Sequence, residues 1–136
     1  MKEITFKIPL KPQTKERARH GRGGQVYTPK KTRAYEEAVK MFAMAEMRGK
    51  TKLTGPIEIE VLFIYPWPKS WSEKKRKENG YFKTSAPDVD NLLKSICDPL
   101  NGVLWEDDRL VCKAIGFKQW GFRESILIQA REMVWQ

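Results

Sequence analysis

The apolar positions change period several times along the chain, and each change marks an element. Residues 2–8, KEITFKI, alternate polar and apolar and stop at Pro9, the pattern of a strand with one buried face. In 30–49, KKTRAYEEAVKMFAMAEMRG, Tyr35, Ala38, Val39, Phe42 and Ala45 recur three and four apart, which predicts an amphipathic helix stopped at Gly49. PIEIEVLFIY at 56–65 alternates and then turns continuously apolar, as a strand does on entering the middle of a sheet. Pro66 and Pro68 end it. A second helix is predicted from about Asn91 to Leu100, with Leu92, Leu93, Ile96 and Leu100 on its apolar side and Pro99 and Asn101-Gly102 as its stop. Two more strands are predicted at 109–118, RLVCKAIGFK, and 125–133, SILIQAREM, and the turn residues 119–124 between them suggest a hairpin.

The order β-α-β-α-β-β implies an α+β fold, a single mixed β-sheet of about four strands with two main helices packed on one face. At 136 residues the chain has the length of one domain, spanning 1–136. A composition 40% hydrophobic and 32% charged belongs to a folded soluble chain rather than a disordered one. The longest apolar run, Val61 to Tyr65, is far too short for a membrane helix, and MKEITFKIPLKPQ has no apolar signal core. Cys97 and Cys112 lack metal-site spacing and read as buried reduced thiols. The expected compartment is the cytoplasm.

Charge changes the picture. The formal net charge is +9, which makes a polyanion the leading class of partner, because clustered Lys and Arg release counterions from phosphates. The bases concentrate in two places. Residues 11–29, rich in glycine and proline, read as a basic loop carrying Lys15, Arg17, Arg19 and Arg22, followed by Lys30 and Lys31 at the helix start. Residues 69–83 form a second basic segment, with Lys74, Lys75, Arg76 and Lys77 on a short helix that Ser70 or Ser72 caps. Of the five tryptophans, Trp71 is the candidate to stack on a base, and the lone His20 reads as an exposed contact residue.

Against that background SAPDVDNLLKSICDP, residues 85–99, gathers three aspartates. With 88–90 extended after Pro87, Asp88 and Asp90 share a face with Cα atoms about 6.6 Å apart. Two carboxylates so placed repel unless a cation lies between them, and Mg2+ or Mn2+ suits oxygen ligands with open positions left for water and phosphate. Leu92 and Leu93 stand where a calcium loop needs its third ligand and its glycine, so that reading fails. The competing reading makes Asp90 a helix cap. Lys94, one turn on, either pairs with Asp90 or stabilises charge on a phosphate. A second acidic group, Glu106-Asp107-Asp108, follows Trp105, and a third ligand from it would complete a site.

PDVDNLLKSICDPLNGVLWEDDRLV, residues 87–111, resembles the core motif of the RusA-family Holliday junction resolvases, a pattern of P-D-x-D-N-x-x-K-x-x-x-D-x-L-N-G followed by an apolar-aromatic step and D-D. YTPKKTRAYEEAV at 27–39 and PKSWSEKKR at 68–76 extend the likeness over most of the chain. The resemblance implies a Mg2+-dependent (or Mn2+-dependent) endonuclease that cuts four-way DNA junctions as a homodimer. It implies that Asp88, Asp90 and Asp108 are the metal-binding catalytic carboxylates and that Lys94 is the basic residue required beside them. It leaves Asp98 without a defined role and Asp107 as the rival of Asp108. The basic residues named above would line the DNA surface. A non-catalytic DNA-binding module, and a nuclease for flaps or other branched DNA, are the alternatives.

Overall fold

The computed structural model describes residues 2–15, 19–27 and 29–134. It is a mixed four-stranded sheet with helices on one face, and the alternation in the sequence decides which side chains go there. Strands β1 (Glu3–Ile8), β4 (Ile57–Pro66), β5 (Val111–Gly121) and β6 (Ser125–Glu132) lie in the order β1-β6-β4-β5. A two-stranded ribbon, β2 (Arg19–His20) with β3 (Val26–Tyr27), stands apart within the segment expected to be loop. Helices are α1 (Lys30–Glu46), α2 (Glu73–Asn79) and α3 (Val89–Leu100).

Strand β4 has the most continuous apolar run and takes the centre, antiparallel to β6 and parallel to β5. The expected β5–β6 hairpin is therefore absent. The two strands flank β4 instead of pairing, because each buries more by lying against the most apolar strand. Ile4, Phe6 and Ile8 of β1, Ile59, Val61 and Phe63 of β4, and Ile126, Ile128 and Ala130 of β6 point to the helix side. There they meet Tyr35, Val39 and Ala43 of α1 and Leu92, Ile96 and Leu100 of α3. Each such aliphatic or aromatic side chain contributes roughly 1.5–3 kcal/mol on burial. The opposite sheet face carries Leu62, Ile64, Phe117 and Leu127, half-buried, with the ring of Phe82 stacked on Phe117 at 6.3 Å.

Two local features set the position of α3. Gly116 of β5 lies beneath its first turns, so close that an added Cβ would stand 2.7 Å from Val89 Cγ2. At the other end, Pro99 is buried within the helix rather than ending it, and Asn101 is its last cap. The connection onward is a tight buried turn in which Trp105 Nε1 donates to Asn101 Oδ1 at 2.8 Å and the amide of Leu53 donates to the Leu104 carbonyl. Trp105 is fully buried, as core rather than contact surface.

Candidate functional site

Asp88 is not in an extended pair with Asp90. The helix begins at Val89, two residues earlier than the apolar period alone suggests, so Asp88 occupies the N-cap position and Asp90 lies in the first turn. Two residues apart on a helix are about 200° apart around the axis, so the shared-face argument for an extended segment does not hold here. The reading of Asp90 as the cap is not realised either, since Asp90 lies inside the first turn, and Asp88, at the N-cap position, makes no side-chain cap hydrogen bond. Asp88, Asp90 and Lys94 are all exposed. Among the described residues none of the three side chains has a hydrogen bond or an ion pair, so the i,i+4 pairing of Asp90 with Lys94 is not formed.

The second acidic group divides its work. Asp107 caps the 3-10 turn Asp108–Leu110: its Oδ1 accepts from the Arg109 amide at 2.9 Å and its Oδ2 faces the Arg109 guanidinium at 3.5 Å. The backbone hydrogen bond, aided by that guanidinium, holds the Asp107 carboxyl below the usual range. Asp108 has no such task. Its charge is felt at Cys97, whose thiol is pushed up to about 12, first by burial and then by Asp108 and Asp98. Asp90, Lys94 and Cys97 are spaced four and three apart and share one stripe of α3, and the 3-10 turn that begins at Asp108 lies against that helix.

In donor chemistry these carboxylates fit a hard divalent ion: exposed, without side-chain partners on Asp88 and Asp90, and oxygen-only. In arrangement they are not yet a closed centre. Among the described residues no three His, Cys, Asp or Glu side chains lie close enough together to hold a metal ion.

What fixes the approach to Asp88 is a pair of lysines that pattern reading passed over. Lys83, buried, donates to the Ser85 carbonyl at 3.3 Å, the Ser85 hydroxyl at 2.6 Å and the Ala86 carbonyl at 2.5 Å. Lys118 donates to the carbonyls of Ser85 at 2.8 Å and Pro87 at 2.7 Å. The Lys83 ammonium also lies over Tyr65 and Trp120, 5.1 and 5.0 Å from the ring centroids. Burial pulls its pKa down, with Lys118 and Lys11 adding to the effect. A signal for Lys118 was present in the sequence: Ala114, Gly116, Lys118 and Trp120 share the helix-facing side of β5, where a charge is out of place unless it has partners.

The described basic residues fall into three groups. Lys15 is engaged, 3.0 Å from Asp98 Oδ2 and 3.8 Å from Glu36 Oε1, which gives Asp98 a part in tying the 11–15 segment to α3. Tyr65 and Ser95 tie it further by donating to the carbonyls of Pro12 and Gln13. Arg22, Lys30 and Lys31 are exposed. Arg17 and the Arg19 side chain lie outside the described residues. On α2, capped by Ser72, Lys74 and Lys77 are exposed and face Glu78 and Glu73. Lys75 stands over Trp71, and the Arg76 guanidinium stands 5.9 Å from the ring centroids of both Trp67 and Phe122. Trp71 is no free platform; it belongs to a cluster with Trp67 and Trp120 whose ring centroids are 5.2–6.1 Å apart.

Comparison with known proteins adds two findings. A family model described as endodeoxyribonuclease RusA matches residues 8–130. An uncharacterized protein, YqaN, of Bacillus subtilis strain 168 is 31% identical over 138 residues, covering 96% of both chains.

Proposed function

Since the chain belongs to the RusA endodeoxyribonuclease family, we propose that it is a divalent-metal-dependent nuclease that resolves four-way DNA junctions by paired cuts in recombination and repair, in the cytoplasm. The observation that carries the reading is the unpaired set at the start of α3, Asp88, Asp90 and Lys94, on a helix whose N-cap carboxylate does no capping. Asp88 and Asp90, with Asp108 as third ligand, would hold Mg2+ or Mn2+. Such an ion supplies a water of lowered pKa and neutralises phosphate charge. Lys94 stabilises the negative charge that builds on the phosphate as the bond breaks. Arg22, Lys30, Lys31, Lys74, Lys75 and Lys77 attract and register the DNA arms, with Lys15, Arg17, Arg19 and Arg76 on the same basic segments.

Two symmetric cuts call for two sites, and we place the second in a second copy of the chain. The face opposite the helices suits that contact, because Leu62, Ile64, Phe117 and Leu127 lie there with the neutral balance of Glu3, Glu58 and Glu60 against Lys7, Lys113 and Arg131. A strongly basic protein repels its own copy least across such a face.

The test is cleavage of a synthetic four-way junction, a flap and a linear duplex at equal concentration with Mg2+ or Mn2+. Paired nicks in the junction are expected, and Asp90→Asn should bind the junction while cutting none of it. Failure of the folded protein to cut any branched DNA under either metal would sink the proposal, and a preference for flaps would replace its substrate. Sedimentation at micromolar concentration should give twice the chain mass.

A further inference from the structure

Beside the acidic cluster the molecule has a cleft of about 630 Å3. Its walls are the 11–14 segment, the first turn of α1 and the final residues of β4, and it runs to Ala86 and Pro87. Asp88 is the next residue, one Cα step of about 3.8 Å away. Among the described residues three lysines, Lys11, Lys31 and Lys83, line it, and no Asp or Glu does. Lys118 adds a fourth ammonium behind the Ser85–Pro87 turn. Among the described residues the first turn of α1 contains no acid and its Pro29 cap supplies no side-chain hydrogen bond, so the positive end of that helix dipole also faces this region.

Like charges brought together in a cleft cost energy that an anion returns. Surface lysines usually avoid this by pairing, as Lys50 does with Glu46 and Lys15 with Asp98. Here the N–H donors of Lys83 and Lys118 go to backbone carbonyls and the Ser85 hydroxyl, while Lys11 and Lys31 are exposed. Among the described residues neither Lys11 nor Lys31 has an ion pair.

We propose that this cleft is a phosphate subsite for the nucleic-acid strand being cut. Lys11 and Lys31 contact a backbone phosphate close to the scissile one, and Lys83 and Lys118 hold the Ser85–Pro87 turn that joins this subsite to Asp88. The inference rests on the nuclease reading and names the part of the substrate that the basic 11–31 region grips. It makes Lys83 and Lys118 positioning residues: they act through the turn and do not touch the reacting atoms.

The test uses the full chain and a fluorescent four-way junction in EDTA, where binding is read without cleavage. Each junction carries one neutral methylphosphonate linkage, walked nucleotide by nucleotide through the branch point on one strand. Wild type should bind one of these about tenfold more weakly than the unmodified junction, as expected for one lost charged contact. Lys11→Gln/Lys31→Gln should be indifferent to that same linkage, and its salt dependence should be shallower by about one counterion, as expected for one phosphate no longer neutralised. Lys50→Gln/Lys52→Gln, in the connection between α1 and β4 and away from the cleft, should keep the wild-type pattern. Equal sensitivity of wild type and the Lys11/Lys31 variant at every linkage overturns the subsite, as does an equal loss in the Lys50/Lys52 control or a wild type that does not bind the junction. A protein that shows the linkage effect but cuts nothing with Mg2+ or Mn2+ loses the nuclease reading and keeps the subsite.

Discussion

Replacing Gly116 by alanine perturbs the site from beneath, without touching a charged residue. The new Cβ would stand 2.7 Å from Val89 Cγ2 and 3.1 and 3.2 Å from Leu93 Cδ1 and Cγ. Ordinary contact begins at 3.4 Å, so the start of α3 must withdraw by about 0.7 Å or Val89 must change rotamer. A β-branched side chain in a helix has one strongly preferred rotamer, so withdrawal is the cheaper response. Overpacking of this kind costs about 1–3 kcal/mol, which for a domain of this size lowers the melting temperature by roughly 3–10 °C. Val89 directly follows Asp88 and precedes Asp90, so the same shift moves both carboxylates. A displacement approaching 1 Å in a catalytic constellation lowers the rate by up to about a hundredfold. Thermal unfolding and single-turnover junction cleavage would be measured for Gly116→Ala, Val89→Ala and the double variant. Removing Cγ2 relieves the closest contact, so the double variant should recover stability and rate relative to Gly116→Ala, with a coupling energy of about 1 kcal/mol or more. If Gly116→Ala behaves as wild type in both assays, or the double variant is no better than the single one, the packing argument is wrong.

Three other outcomes follow from the same geometry. Lys83→Met keeps the aliphatic stem over Tyr65 and Trp120 but removes the donors to Ser85 and Ala86, so cleavage should fall at least tenfold while junction affinity changes less than threefold, by the rule that charged hydrogen bonds contribute about 1.5–3 kcal/mol; a parallel loss of affinity would make it a phosphate contact instead. Burial pushes the Cys97 thiol from 9.0 and the Tyr35 hydroxyl from 10.0 up to about 12. The unfolded chain therefore gives up protons between pH 9 and 12 that the folded chain keeps, and stability falls as pH rises through that window, by up to about 1.4 kcal/mol per pH unit for each group; urea midpoints from pH 8 to 11 should fall less steeply in Cys97→Ala, and an unchanged slope would refute the assignment. Asp98→Asn removes the closer of the two Lys15 ion pairs, which is partly exposed, so it should change stability by less than about 1 kcal/mol yet speed tryptic cleavage after Lys15; unchanged proteolysis would show that Glu36, Tyr65 and Ser95 suffice to hold that segment.

The family and the two helix–strand alternations are legible in the sequence because they are local. The period of 92–100 marks the apolar side of α3; that of 30–46 marks α1 as a helix and, through Tyr35 and Val39, part of its buried side, while Phe42 and Ala45 are exposed and Ala43 is buried instead. PDVDNLLK carries its chemistry in adjacent residues. Ser72 as a cap and Gly49 as a stop, with its φ of 76°, are likewise short-range choices. Tertiary structure decided what depends on partners far apart in the chain. It set β4 between β5 and β6, where a short turn had suggested a hairpin, because the choice of neighbour depends on total burial and not on loop length. It started α3 at Val89, against Gly116, and so turned an extended pair of aspartates into an N-cap and a first-turn residue. It gave Asp107 to a 3-10 cap and left Asp108 free of that role, a distinction invisible in two identical neighbouring letters. It also turned Lys83 and Lys118 from two charges among 26 bases into the clamp on the Ser85–Pro87 turn that leads to Asp88. Sequence patterns encode which face a residue takes; only the packed sheet determines which carbonyls lie within reach of an ammonium on that face.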